Sequence, residues 1–342
     1  MIRVCVPQGF PIFVVAVLLC CCHASGCAPR PADAVAASPR ASDTRGPPQP
    51  LVVQVRADNA PVLTRECDAG KARSCTWLGR LYGDGVGVPL DAGRSCALYR
   101  RACDGADLRG CDLLGGCYQV GVVLPQDLPK AMDLYRRACE GGVANACTSL
   151  SLAFGSGSGT RKDESEAARL ARKGAQLDQA GCDGGVAEDC TSLASDYLSG
   201  MGVPSDLARA AALAERTCGV GHAYGCMVLA MIASESHNEQ QKLHALERAC
   251  ERGLLLGCAA LGGIYLRGQK EQQVQGLRLV TSACEQGLGA ACTMAGDVLC
   301  GEGSCAGDVA SIAHRLYTKG CAAGESESCD GLKRLGPPPA PR

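Results

Sequence analysis

Large aromatic side chains are scarce: 3 Phe, 8 Tyr and 1 Trp serve 342 residues that include 44 Gly. That shortage argues against one large core and for thin layers built from small residues. A dominant charge sign is missing as well, with 34 Lys and Arg against 35 Asp and Glu and no basic run of five or more, which leaves no phosphate-binding stripe. Nucleic acid is thereby excluded as the expected partner. No C-x2-C half-site occurs, so a structural zinc site has no sequence support and no metal is expected. His237 and His244 share a helical face but have no HExxH context, and they read as surface residues. No Ser is followed three residues later by Lys, which removes the nucleophile motif of the serine β-lactamases. No cofactor is expected either.

What is present begins with an apolar run of about 13 residues from Phe10 through Cys22, after Arg3 and before Ala24-Ser25-Gly26-Cys27. Such a run is too short to span a bilayer and has the layout of a secretory signal over residues 1–26. Ala-Ser-Gly-Cys resembles the lipobox of bacterial lipoproteins, with Ala24 where Leu is usual. The resemblance implies an acylated Cys27, and Ala28 at the next position implies the outer membrane. Simple cleavage near Gly26 would give a secreted protein instead. Residues 27–60, rich in Pro, Ala, Arg and Asp, read as a lipidated start followed by a disordered tether, and residues 336–342 as a Pro-rich tail.

Cysteine is the abundant residue. Of 25, Cys5, Cys20, Cys21, Cys22 and Cys27 lie in or beside the signal, which leaves an even 20 in a chain bound for an oxidising compartment. Sixteen of these fall into a C-x7-C unit whose first cysteines are Cys67, Cys103, Cys139, Cys182, Cys218, Cys250, Cys284 and Cys321. The steps between units are 36, 36, 43, 36, 32, 34 and 37 residues, a period that marks stacked helix pairs. Three residues beyond the second cysteine stands Leu78, Leu114, Leu150, Leu193, Leu229 or Leu261, with Ala295 in the seventh unit. Four further comes Tyr82, Tyr118, Phe154, Tyr197 or Tyr265. Spacings of i, i+3 and i+7 lie on one helical face.

A Gly-rich turn follows, as in Gly83-Asp84-Gly85-Val86-Gly87-Val88-Pro89, and Asp91, Asp127 and Asp206 are placed to cap the next helix. Glycine recurs three residues past the first cysteine in seven of eight units, where a left-handed helix stop is expected. The pattern predicts about seven helix pairs, a partial helix near 61–70 and a closing helix near 325–335. Two units depart from it. An insertion around Leu177 to Gly181 lengthens one junction, and the fifth unit has Ser234-Glu235-Ser236-His237 in place of the Gly-Val turn.

Together the L-x-x-x-Y, G-x-G-V, A-C-x-x-G and C-x7-C features resemble the Sel-like repeats, relatives of the tetratricopeptide repeat, and in particular their Hcp-type cysteine-rich secreted branch. The resemblance covers residues 61–335. It implies an all-α, right-handed superhelical solenoid of antiparallel helix pairs that serves as an adaptor for proteins or peptides.

Each C-x7-C places one thiol in the last turn of a helix and the next early in the following helix, so that neighbouring antiparallel helices are stapled: Cys67–Cys75, Cys103–Cys111, Cys139–Cys147, Cys182–Cys190, Cys218–Cys226, Cys250–Cys258, Cys284–Cys292 and Cys321–Cys329. Cys96 and Cys117 lie about two turns from the Cys103–Cys111 staple on facing helices, and a second bridge is expected there. Cys300 and Cys305 flank the seventh turn and are expected to close a local loop.

The expected function is a non-catalytic interaction scaffold outside the cytoplasm, with a protein or peptide on the concave face and membrane contact only through the lipid anchor. Helix positions one and five residues after the second cysteine supply the candidate contacts Thr76, Arg80, Thr148, Thr191, Ser195 and Asp297, read as exposed. Two alternatives remain open. The Hcp-type resemblance implies β-lactam binding or weak hydrolysis, for which the residues supply no catalytic group, and a purely structural envelope lipoprotein would need none.

Overall fold

The structure is a computed structural model and describes residues 57–300, 305 and 307–336. The signal, the Cys27 lipidation site, nearly all of the tether and all but Gly336 of the tail lie outside the described residues. Among the described residues are sixteen α-helices and no strand. None of these helices is long and apolar enough to cross a membrane.

Local chemistry explains where the helices start and stop. The Asp91, Asp127 and Asp206 carboxylates accept hydrogen bonds from the backbone N–H of Arg94, Lys130 and Arg209, satisfying amides that have no partner in the first turn. At the other end, Gly142 at φ 91° closes helix Leu128–Glu140. In the one unit that lacks this glycine, Ala106 takes the same left-handed conformation at φ 66°, and the N–H of Asp107 still reaches the carbonyl of Ala102 at 2.9 Å. The fifth unit turns with His237 at φ 53°.

Seven inner helices alternate with outer ones. The leucine three residues past the second cysteine is buried in the first six units, as is Ala295 in the seventh, while Leu332 in the closing helix is half-buried. One residue further the side chain must be small. A Cβ on Gly79 would stand 2.6 Å from the Tyr99 ring, one on Gly115 2.8 Å from Tyr135, and one on Gly296 2.6 Å from Tyr317. Each tyrosine comes from the next outer helix, so in these three layers an aromatic ring fills the gap between the helices of a pair, whereas Gly262 meets Val280 instead.

The insertion is absorbed within a helix. Glu164–Asp183 has 20 residues where most of its counterparts have 13. Seven residues are close to two helical turns, so the packing face keeps its phase and the stack continues undisturbed. All eight C-x7-C pairs are bonded, with Cα atoms 4.4 to 4.8 Å apart, and Cys96–Cys117 and Cys300–Cys305 are bonded as well.

The solenoid curves until its first layer meets its later ones. Trp77, Leu78, Leu81 and Val86 belong to the same apolar cluster as Leu229, Ile232, Leu254 and Leu261. The backbone N–H of Leu90 donates to the carbonyl of Gln286 at 2.8 Å. This closure brings the inner helices of the first five repeats around one cavity.

Candidate binding cavity

The inner helices Ala72–Asp84, Leu108–Val120, Ala144–Ser156, Ala187–Ser199 and Ala223–Glu235 contribute most of the lining of a cavity of about 280 Å³. Positions one and five after the second cysteine face it: Thr76, Arg80, Thr148, Thr191 and Ser195 all line it, as do Asp112, Met227 and Met231 in the same register. None of the five candidates is exposed as the sequence led us to expect: Arg80, Thr148 and Ser195 are half-buried, and Thr76 and Thr191 are buried. Thr76 is 0% exposed and donates to Asp107 Oδ2 at 2.9 Å, and Thr191 is 6% exposed. The stack brings their helices together and encloses them. Asp297 stands apart from the cavity, exposed, and accepts a hydrogen bond from the Tyr317 hydroxyl at 2.6 Å with Arg334 at 3.5 Å. By the seventh repeat the inner face has turned past the cavity and is covered by the closing helix Ser326–Leu335.

A further turn of the same helical stripe, two residues before the second cysteine, escaped the sequence reading. It supplies Arg109, Asn145, Glu188 and Tyr224 to the lining. Continuing the i, i+3, i+4 spacing backwards from Asp112, Thr148, Thr191 and Met227 would have found them.

Charge is concentrated here. Arg109 Nη2 donates to both oxygens of Asp189, at 2.9 and 3.0 Å, and so joins the second inner helix to the fourth. Arg80 Nε lies 3.8 Å from Asp84 Oδ2, and its guanidinium stands 5.7 Å from the centre of the Trp77 ring and 6.0 Å from that of Tyr224. Asp178, Asp112 and Asp196 are buried among them. Burial pushes the Asp112 and Asp196 carboxyls up to about 7, because the charged form loses its hydration. Burial also raises Asp178 well above the carboxylate range, reinforced by the charges of Asp196 and Asp189.

His222 caps helix Ala223–Glu235 and is 3% exposed. Burial outweighs the nearby Glu188 carboxylate and lowers the imidazole to about 4, so the ring is neutral at physiological pH. Its Nδ1 shares a 2.9 Å hydrogen bond with Thr191 Oγ1, while that hydroxyl also lies 2.9 Å from the carbonyl of Ala187. A threonine hydroxyl has one proton. With that proton given to Ala187, Nδ1 carries the ring hydrogen and Nε2 is a bare acceptor, with no hydrogen-bond partner in the structure. Asp84 Oδ2, Asp196 Oδ2 and the Tyr99 hydroxyl are likewise buried without a hydrogen-bond partner, Asp84 Oδ2 having only the Arg80 guanidinium at 3.8 Å. No set of three or more His, Cys, Asp or Glu side chains among the described residues is arranged to hold a metal ion.

Helix pairs stapled in series around an internal cavity define a disulfide-bonded α-solenoid. The Sel1 repeat model matches residues 72–107, 109–143, 144–179, 187–222 and 255–288, more than half of the chain, and the protein belongs to the Sel1 repeat family. Sel1 repeats generally mediate protein–protein interaction. The unmatched stretch between 222 and 255 contains the unit that turns at His237 instead of a Gly-Val turn.

Similar solved structures include a Sel1 repeat protein from Oxalobacter formigenes, 20% identical over 81% of this chain and 90% of that one, with a TM-score of 0.41. The immunity protein Pa5087 from Pseudomonas aeruginosa is 16% identical over 68% of this chain and 89% of that one, with a TM-score of 0.45. The third is c5321, a protective antigen present in uropathogenic Escherichia coli strains, at 22% identity, 80% of this chain and a TM-score of 0.38. The chain spans 58% of the length of the c5321 structure. No curated protein sequence matches it.

Proposed function

We propose that the protein is an extracytoplasmic interaction scaffold of the Hcp-type branch, tethered to the outer membrane through an acylated Cys27, which takes a protein or peptide at the concave inner face. The observation that carries the binding role is the cavity itself. Five inner helices converge on it, and four of its buried polar atoms, on Asp84, Tyr99, Asp196 and His222, make no hydrogen bond within the chain. Native proteins leave few such atoms unsatisfied, and a bound ligand is one way to satisfy them. The compartment is supported by the apolar run after Arg3 and by an even complement of bonded cysteines, which suit an oxidising environment. About 280 Å³ suits one or two side chains of a partner rather than a folded surface.

Photo-crosslinking residues placed at Leu113 and Ser192 on the inner face, and at Arg136 on the outer face, test the reading against an envelope extract. A discrete adduct from the two inner positions and none from Arg136 is the expected outcome. Adducts from Arg136 alone would move the binding face to the outside. Metabolic labelling with a fatty-acid analogue, lost in Cys27→Ser, tests the anchor.

A further inference from the structure

The chemistry of the lining points to the class of group the cavity receives, an inference that rests on the cavity being the binding site. Six carboxylates, Asp84, Asp112, Asp178, Glu188, Asp189 and Asp196, line it against two guanidiniums, Arg80 and Arg109. Both arginines are already engaged, Arg109 on Asp189 and Arg80 between Asp84, Trp77 and Tyr224. No Lys or Arg among the described residues forms an ion pair with Asp112, Asp178 or Asp196. With no cation paired with them, burial holds Asp112, Asp178 and Asp196 toward their neutral forms, and positive charge arriving from elsewhere would let them ionise.

Beside the Tyr99 hydroxyl, which can donate or accept, the other three atoms without a hydrogen bond are alike. Asp84 Oδ2 is an acceptor, Asp196 Oδ2 is an acceptor when ionised, and His222 Nε2 is an acceptor in the tautomer in which Thr191 donates to Ala187. Their residues are 8%, 6% and 3% exposed, so water has little access to them. A ligand that satisfies all three must bring several N–H donors, and a cationic one would in addition be stabilised by the carboxyls it draws into ionisation. Between the polar groups the wall is apolar, with Leu113, Leu152, Met227 and Met231, a surface suited to the methylene stem of a long side chain. An anionic ligand would find both lining arginines already engaged.

We infer that the cavity receives a lysine or arginine side chain of a partner polypeptide, its charged head among Asp84, Asp196 and His222 and its stem along the Leu113, Leu152 and Met227 wall. The partner need be no larger than an exposed basic loop or chain end, since the cavity has room for little more than the side chain. Uptake of the cation would also favour ionisation of Asp112 and Asp196, two carboxyls held near neutrality by burial, so that binding releases protons.

Titration calorimetry with the full oxidised chain and four capped peptides tests this: Ac-Ala-Arg-Ala-NH2, Ac-Ala-Lys-Ala-NH2, the citrulline analogue of the first and Ac-Ala-Glu-Ala-NH2. Citrulline keeps the shape of arginine and removes its charge. The expected result is that a basic peptide binds at least about tenfold more tightly than the citrulline and glutamate peptides. Its binding should release protons, seen as a heat that depends on buffer ionisation. Asp196→Asn and Asp84→Asn should each weaken binding about tenfold while circular dichroism stays unchanged.

Equal affinity for the citrulline peptide, preference for the glutamate peptide, or no binding by any peptide overturns the inference. Cadaverine separates the sources. A free diamine that binds as tightly as the lysine peptide would make the ligand a small amine and overturn the polypeptide assignment. The inner-face crosslinks are independent of all these outcomes, so a scaffold that uses this face without a basic side chain would be recognised as such.

Discussion

The N–H of Leu90, in the turn after the first inner helix, donates to the carbonyl of Gln286 at 2.8 Å, in the turn before the seventh. One full circuit of the superhelix separates the two. Gly287, next to Gln286, has φ 105°, and a Cβ there would stand 2.9 Å from the carbonyl oxygen of Leu90. Gly70 has φ 87° in the equivalent turn of the first unit, with nothing within 4 Å. Gly70→Ala should therefore cost only the left-handed backbone term, about 1 kcal/mol. Gly287→Ala adds the clash and should lower the melting temperature by more. Equal losses by differential scanning fluorimetry would show that the first and seventh layers do not touch in solution.

The bridge between Cys96 and Cys117 lies outside the repeating staple and closes a longer loop, with a sequence separation of 21. In the chain-entropy model it contributes about 3 kcal/mol. The double variant Cys96→Ser, Cys117→Ser should stay folded and melt at a lower temperature, because the eight C-x7-C staples remain. Peptide mapping of the unreduced protein should recover Cys96 linked to Cys117, and a free thiol at either position would contradict the pairing.

Gly115 accommodates the Tyr135 ring, whose hydroxyl donates to Gln119 Oε1 at 2.7 Å. Gly115→Val would drive a branched side chain into that ring and force the helix pair apart, at a cost of about 1 to 3 kcal/mol. One residue on, a Cβ at Gly116 would have only the Tyr135 hydroxyl within 4 Å, at 3.7 Å, so Gly116→Ala should be tolerated. Comparing the two by thermal melts separates packing from helix propensity, since both glycines lie in the same helix.

Stability should fall as pH rises from about 4 to about 7. Asp112 and Asp196 have folded pKa values of about 7 against 3.8 for the free group, so the folded chain holds more protons than the unfolded chain between these values. Their ionisation costs stability, and the cost is complete above about pH 7. His222 acts oppositely. Its value of about 4 against 6.5 makes the folded chain refuse a proton that the unfolded chain accepts, so its contribution is lost as pH falls from about 6.5 to about 4. Two carboxyls outweigh one imidazole, and the protein should melt at a higher temperature at pH 5.5 than at pH 8. Asp196→Asn should raise the melting temperature at both pH values, and by more at pH 8 than at pH 5.5. A flat wild-type profile would show that these groups are hydrated.

The candidate site was legible in part. The register one and five residues past the second cysteine pointed to Thr76, Arg80, Thr148, Thr191 and Ser195, because a helix repeats its faces at fixed spacing and the cysteines fix the phase. The same register also pointed to Asp297, which lies elsewhere, because spacing tells which side of a helix faces inward and not what the inner side meets. The acidic character of the cavity was hidden for a different reason. Its carboxylates are scattered from Asp84 to Asp196 in a chain of nearly balanced charge, and no short stretch of sequence is unusually acidic.

The sequence by itself determined everything set by neighbours along the chain: the period, the C-x7-C staples, the aspartate caps and the left-handed stops. Each depends on contacts within one repeat or between adjacent ones. Only the tertiary structure decided that the stack closes on itself, that Arg109 reaches Asp189 across a separation of 80 residues, and that six carboxylates share one small cavity. The reason is geometric. The rotation from one layer to the next is small and set by the sum of many side-chain contacts, so its direction cannot be read from any single repeat, yet after several layers it decides which helices face one another.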